Sequence, residues 1–310
     1  MDNIICVVGP TASGKTALAV ELARAVNGEV VSCDSMQIYR RMDIGTAKPT
    51  PEEMRGIRHH MIDIVEPDED FSVSRYCQLA APIVEDILRR GKTAIIAGGT
   101  GLYVDSLIRG GDFAPCPATG CREQLALRLE QEGIEPLLRQ LRQVDPEAAQ
   151  RSQQNPRRVL RALEVYLETG IPISEHNRRT QLLPPRFSPV WIGLDFACRR
   201  ELYDRIDQRV EQMLRLGLLQ EITELLNSGV SESATSMQAI GYKEFVDALA
   251  GRVSVAEATA LVQQSSRRYA KRQLTWFRRN PKINWLIREP GESGEEIFSR
   301  AGQILSNFDK

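Results

Sequence analysis

"GPTASGKT", residues 9–16, follows an apolar run, "NIICVV" at 3–8, and opens into "TALAVELARAV" at 16–26. G-x-x-x-x-G-K-T between a strand and a helix is the spacing of a phosphate-binding loop. Gly9 and Gly14 let the backbone turn so that successive N–H groups point inward as an anion nest. The next helix aims its positive end at the same place. Lys15 adds a point charge for terminal phosphate oxygens, and the Thr16 hydroxyl is placed to ligand Mg²⁺. A merely glycine-rich turn does not explain the Lys-Thr pair.

Outward from the loop, β-type runs alternate with helical patterns. "GEVVSCD" (28–34) reads as a second strand and "KTAIIAGGTG" (92–101) as a third that breaks into a glycine turn. Between them "SRYCQLAAPIVEDILRRG" (74–91) has helical periodicity and a glycine stop, and "LYVDSLI" (102–108) restarts a helix. This alternation predicts an α/β fold, a P-loop NTPase-like parallel sheet with helices on its faces. From Phe113 to Arg186 the pattern is almost purely helical, bounded by "FAPCPATG" and "LLPPRFSP". "VWIGLDF" (190–196) is again a buried strand and is expected to rejoin the first sheet. Residues 113–186 thus read as an all-helical insertion into a core of 1–112 and 187–310. Beyond it the chain is helical except for a short possible strand, "INWLI" (283–287).

A chain of 310 residues has room for a core domain plus a smaller insertion. Its 42% hydrophobic and 26% charged content is that of a soluble globular protein. No apolar run approaches the ~20 residues of a membrane span, and the amino-terminal strand reads as fold rather than leader. Six cysteines without CxxC spacing fit reduced thiols and argue against structural zinc. The expected location is the cytoplasm. A net charge of -1 says nothing for nucleic acid by itself, so the distribution of charge matters.

An NTPase also needs a carboxylate at the end of another strand to hold its metal. Asp34, Asp63 and Asp195 end or interrupt apolar runs, and none is a clean candidate. If the loop instead holds a diphosphate that leaves, the chemistry needs a base for the incoming nucleophile. Asp34, at the carboxyl end of the second strand, is on the right rim; the alternative is a cap or turn residue. Ser35, Gln37 and Thr100 would reach the same rim. His59 and His60 invite a metal reading with Asp63, but neighbours on an extended strand point to opposite faces.

Two basic clusters stand out. Arg151, Arg157, Arg158 and Arg161 lie in the insertion. "SSRRYAKRQLTWFRRNPK" (265–282) carries Arg268, Arg272 and Arg279 in one helical stripe and Arg267, Lys271 and Arg278 in the next. No acidic residue occurs between Glu257 and Glu289, and Tyr269, Trp276 and Phe277 are interleaved. That composition suits a phosphate backbone with exposed bases; the plainer reading is a solvated helix with aromatics packed inward.

"GPTASGKT", "DSMQIY", "MDIGTAKPT", "HHMID", "AGGTGLY", "RRVLRALEV", "QAIGYKE" and "KRQLTWFRR", in that order from residue 9 to 279, make the chain resemble the tRNA dimethylallyltransferases, the bacterial-type tRNA isopentenyltransferases. The resemblance implies transfer of a dimethylallyl group from dimethylallyl diphosphate to the exocyclic amine of the adenosine 3′ of the anticodon. It implies a tRNA anticodon stem-loop as partner, Mg²⁺ as cofactor, and a monomer. Gly9, Pro10, Thr11, Ala12, Ser13, Gly14, Lys15 and Thr16 would grip the diphosphate, with Thr16 on the metal. Asp34 matches the general base, and Lys15, Thr16 and Thr100 complete the catalytic set. Asp34, Ser35, Met36, Gln37, Thr100 and Arg122 match tRNA-contacting positions. So do Arg157, Arg158, Val159, Leu160 and Arg161; Gln238, Ala239, Ile240, Gly241, Tyr242 and Lys243; and Lys271, Arg272, Gln273, Leu274, Thr275, Trp276, Phe277 and Arg278. The helical insertion would clamp the stem-loop. With no cysteine after Cys198, the zinc module of some eukaryotic relatives is not expected. On the residues alone, an ATP-dependent small-molecule kinase, a nucleotide-gated RNA-binding protein and an enzyme prenylating free adenine nucleotides stay open.

Overall fold

A computed structural model describes residues 3–110 and 119–308. Phe113 and Cys116, and with them the expected start of the insertion, lie outside the described residues. Six strands form one sheet in the order β3-β2-β4-β1-β5-β6, and every adjacent pair is parallel. In chain order these are β1 (Ile4–Val8), β2 (Gly28–Ser32), β3 (His59–His60), β4 (Thr93–Gly98), β5 (Val190–Phe196) and β6 (Ile283–Arg288). The sheet is the expected one, with "VWIGLDF" and "INWLI" as its β5 and β6. All five residues of β1 and of β2 are buried, as parallel strands covered on both faces require.

The chain divides into two compact units, 1–110 with 186–310 and 111–185. In the first, α1 (Lys15–Ala25), α2 (Pro51–Met54), α3 (Val73–Arg89) and α4 (Gly101–Arg109) precede the break in the sheet's connectivity. The second holds α5 (Cys121–Glu132), α6 (Ile134–Val144), α7 (Pro146–Ser152), α8 (Pro156–Thr169) and α9 (Ile173–Leu182). Its core is a leucine-rich cluster that includes Leu125, Leu137, Leu141, Val159 and Leu163. The first unit resumes with α10 (Arg199–Arg215), α11 (Leu218–Asn227), α12 (Tyr242–Leu249), α13 (Val255–Phe277) and α14 (Gly294–Phe308). None of the helices in the described residues is long and apolar enough to cross a membrane.

On one face of the sheet, α1 and α14 bury Leu18, Leu22, Ile297 and Ala301 against Ile5, Val7 and Leu194. A second core joins the segment after β2 to α10, α11, α12 and α13, with Ile38, Tyr39 and Met42 packed among Val210, Ile222, Tyr242, Phe245 and Val262. This second core fixes the long connection from β2 to β3, which carries Asp34 to Gln37.

Polar anchors complete that fixing. Glu221 on α11 accepts from three successive backbone N–H groups, of Asp43 (2.8 Å), Ile44 (2.7 Å) and Gly45 (3.1 Å). It also accepts from the Tyr242 hydroxyl at 2.6 Å. Gly45 is required because a Cβ there would sit 2.4 Å from the Tyr242 ring. Gln37 then donates to the Ala47 carbonyl at 3.2 Å and accepts from Ser32 Oγ at 3.0 Å. Lys48 ties Tyr39 O, Asp43 and Asp63 together. Removing the Glu221 carboxylate strands several donors at once. Glu221→Ala is expected to lower folding stability by about 2–3 kcal/mol, read as a fall in the urea midpoint with an unchanged m value.

Candidate active site

β1 lies between β4 and β5, and the loop of residues 9–16 leaves its carboxyl end. Gly9 (φ 146°) runs so close to β5 that a Cβ would meet the Leu194 carbonyl oxygen at 2.6 Å. Gly14 caps α1 in the left-handed region (φ 90°) and offers no side chain to the first helical amides. Those amides are the donors an anion would take. Within the loop, Ser13 Oγ is buried with no hydrogen-bond partner, which fits a loop completed by a ligand.

Cations crowd this turn. Lys15 Nζ folds back onto the Pro10 carbonyl at 2.6 Å. From α10, Arg205 donates to the Ala12 carbonyl at 3.1 Å and Arg209 to Thr11 Oγ1 at 3.4 Å. The Arg288 guanidinium at the end of β6 is the nearest group to a Cβ placed on Gly14, at 4.0 Å. These charges disturb one another. Loss of water, then repulsion from Arg209, brings the Lys15 ammonium down to about 7 in spite of the Asp34 carboxylate. Burial likewise lowers Arg209, and burial with repulsion from Arg288 lowers Arg205. Among the described residues, neither Lys15, Arg205 nor Arg209 has a carboxylate within ion-pair distance. Arg205 and Arg209 were not expected from the sequence; their helix, "RRELYDRIDQRVEQMLR", reads as an ordinary solvated face with alternating charges.

Asp34 follows β2 by two residues, half-buried, and its Oδ1 accepts from the Met36 N–H at 2.8 Å in a local turn. Thr100, at the end of β4, takes its backbone N–H to the Cys33 carbonyl at 3.2 Å, and its Oγ1 accepts from the Ser35 N–H at 3.2 Å. The structure therefore brings the phosphate loop, Asp34, Ser35 and Thr100 to one rim of the sheet. Tyr269 from α13 lies near them; burial, reinforced by Asp34, pushes its phenol up to about 12.

The other expected acids are engaged elsewhere. Asp195, buried in β5, accepts from the Phe196 N–H and pairs with Arg278, both at 2.8 Å. Asp63 is held by Lys48. β4, next to β1, ends in Gly98-Gly99-Thr100 with no carboxylate. His60 bonds Glu29 at 2.8 Å and His59 bonds Ile57 O at 2.9 Å, so the two imidazoles have separate partners. Among the described residues no cluster of three His, Cys, Asp or Glu could cage a metal. Thr16 stays exposed at the start of α1. A divalent cation here would find one hydroxyl, that of Thr16, and would have to take its remaining oxygens from a bound anion and water.

The expected RNA-contacting positions fall into two kinds. Lys271, Arg272, Thr275, Arg278, Gln238 and Lys243 are exposed. Gln273, Leu274, Phe277, Gly241 and Tyr242 are buried; Ala239 and Ile240 are half-buried against the second core. Trp276 is half-buried, donating to Asp105 at 2.9 Å and lying against Gly101, where a Cβ would be 2.2 Å from the ring. Met36 also packs on that core. In the helical unit, Arg122, Arg157 and Arg158 are exposed, whereas Val159 is buried and Leu160 half-buried. Arg161 pairs with Glu164 at 2.7 Å. Pro156 is the first residue of α8, behind an Asn155 cap, where its missing N–H costs nothing.

A parallel sheet with a phosphate loop at its centre and cations around that loop defines a P-loop-type core. Comparison with known proteins narrows this. The sequence profile described as IPP transferase matches residues 37–280. A protein of Acetivibrio thermocellus named tRNA dimethylallyltransferase is 46% identical over 99% of both chains. The full-length tRNA isopentenylpyrophosphate transferase of Bacillus halodurans has a similar structure, with a TM-score of 0.74, 41% identity, and coverage of 100% of this chain and 99% of that one. A eukaryotic dimethylallyltransferase acting on tRNA gives a TM-score of 0.81 at 28% identity, over 98% of this chain and 79% of that one. The chain belongs to the IPP transferase family.

The depressed Lys15 ammonium has a measurable consequence. At pH 8 it is mostly neutral, and a bound anion favours the charged form, so binding must draw in a proton. Titration with inorganic sulfate, an anion with no proton to lose in this range, in two buffers of different ionisation enthalpy should show proton uptake at pH 8 that fades below about pH 6. Absence of uptake at pH 8 would mean that Lys15 is already charged in the free loop.

Proposed function

We propose that the protein transfers a dimethylallyl group from dimethylallyl diphosphate to the exocyclic amine of the adenosine 3′-adjacent to a tRNA anticodon, forming isopentenyladenosine. The observation that carries this reading is the cationic turn: Lys15, Arg205, Arg209 and Arg288 around open helix amides, with no ion-pairing carboxylate on the first three among the described residues. Such a site favours a multiply charged anion and a leaving group that gathers charge. The names of full-length relatives supply the substrate class.

An adenine amine is a poor nucleophile because its lone pair is delocalised into the ring. An allylic diphosphate compensates, since its C–O bond breaks readily once the departing oxygens are neutralised. In this reading the amine nitrogen bonds to the allylic carbon and the diphosphate leaves with the C–O electron pair. The amine proton passes to the Asp34 carboxylate. Lys15, Arg205, Arg209 and the residue 9–16 amides hold the diphosphate. Mg²⁺, when bound at Thr16, would supply further charge neutralisation on it. Thr100 and Ser35 hold the Asp34 turn on the rim. The exposed arginines and lysines of α13, with Arg122, Arg157 and Arg158 of the helical unit, engage the tRNA backbone. Those contacts offset the few kcal/mol needed to unstack the target base.

The test is incubation with dimethylallyl diphosphate, Mg²⁺ and unmodified tRNA, followed by digestion and mass detection of prenyl-adenosine. AMP in place of tRNA should give no product. Asp34→Ala should lower turnover by roughly 10²–10⁴-fold while leaving tRNA affinity nearly unchanged. Full turnover in that variant removes Asp34 from the reaction.

A further inference from the structure

Gln273 lies on the buried face of α13, only 5% exposed, in the middle of the segment whose outer side chains are basic. Its carboxamide is engaged at both ends. Oε1 accepts from the Thr11 N–H at 2.8 Å, and Nε2 donates to the Gly99 carbonyl at 2.9 Å. One partner is a pure donor and the other a pure acceptor, so the amide has one orientation. Thr11 belongs to the phosphate loop after β1, and Gly99 precedes Thr100 after β4. The side chain therefore bridges the two backbone turns that carry the chemistry. Gly99 is shaped for it: a Cβ there would lie 2.1 Å from Gln273 Nε2, while the nearest group outside Gln273 is Gly9 O at 3.7 Å.

We propose that Gln273 is a positioning residue, which sets the phosphate loop against the Thr100 turn and so places the donor's diphosphate relative to Asp34, rather than a residue that reads tRNA. The inference rests on the diphosphate reading of the loop. No other side chain of this length can accept at one end and donate at the other. Glu would set a second acceptor against the Gly99 carbonyl. Met would leave the Thr11 N–H and the Gly99 oxygen without partners. Asn is one methylene short of spanning both.

Steady-state kinetics on the full chain, with tRNA binding by filter retention, separate the two roles. Gln273→Met and Gln273→Glu should raise KM for dimethylallyl diphosphate roughly tenfold or more and lower kcat, with tRNA Kd changed by less than about twofold. Gln273→Asn should not rescue. Weakened tRNA binding with an unmoved KM for the prenyl donor would overturn the proposal. If the Gln273 variants do not fold, Gly99→Ala carries the test, because its Cβ displaces the same amide and should reproduce the defect in donor KM. In a Gln273→Ala background, where that clash is gone, Gly99→Ala should add less than about twofold; full additivity would overturn the coupling. A wild-type enzyme that forms product without saturating in the prenyl donor would count against the diphosphate reading, a result separable from normal wild-type saturation with unmoved variants.

Discussion

Lys15, Arg205, Arg209 and Arg288 are gathered around one turn of backbone where their charges repel and water is partly stripped away. The lowered ammonium of Lys15 and the lowered guanidinium groups of Arg205 and Arg209 record that conflict. A fold holds such an arrangement only if other packing overdetermines it. Here the determinants are geometric. The parallel sheet places the ends of β1, β2 and β4 on one rim, Gly9 lets the loop run against β5, and α10 docks its arginines through Leu202, Ile206 and Phe196. An anion of high charge resolves the repulsion, and one that departs carrying more charge resolves it further. Electrostatic preorganisation of this kind costs no rearrangement during the reaction.

The Asp34 side of the rim is held by a different device. Asp34 sits at the head of a long connection that contains little regular structure. Left to itself such a segment would sample many conformations. Glu221 gathers three successive amides, Lys48 bridges two aspartates and a carbonyl, and Gln37 returns to the backbone near Ala47. Those anchors come from α11 and from the connection itself, and Tyr242 of α12 seals them from behind. The "QAIGYKE" stretch thus contributes to this fixing through the buried Tyr242 ring and its hydroxyl, while its Gln238 and Lys243 are exposed.

The sheet was legible because its signals are local: apolar runs of strand length, glycine turns, and a phosphate loop flanked by a strand and a helix. Asp34 and Thr100 were placed on the rim by the same logic, since parallel strands send their carboxyl ends one way. Arg205 and Arg209 were not legible. Their helix alternates charges at i,i+4 spacing, the pattern of a solvated surface, and only tertiary docking turns that face onto the loop. The basic stretch of α13 misled in the opposite direction. Its lack of nearby acids in sequence is real, yet Arg267 pairs with Asp207 of α10 and Arg278 with Asp195 of β5. Counter-charge arrives from other elements. Among the described residues, Arg268, Lys271 and Arg272 of that helix, and Arg279 just past its end, are exposed cations without a carboxylate at ion-pair distance.

α13 therefore has two faces with different work. Ala258, Val262, Ala270, Leu274 and Phe277 are buried, whereas exposed Arg272 lies over the half-buried Tyr269 ring and Arg279, just past the helix, over the half-buried Trp276 ring. A carboxamide in the middle of the buried face is costly unless every polar atom finds a partner. Leucine at position 273 would avoid that desolvation, but it would leave Thr11 and Gly99 with unpaired backbone groups at the closest approach of two loops. Gln273 answers both demands at once. The helix that presents cations outward is thereby fastened, through one amide, to the phosphate loop and to the turn before Thr100.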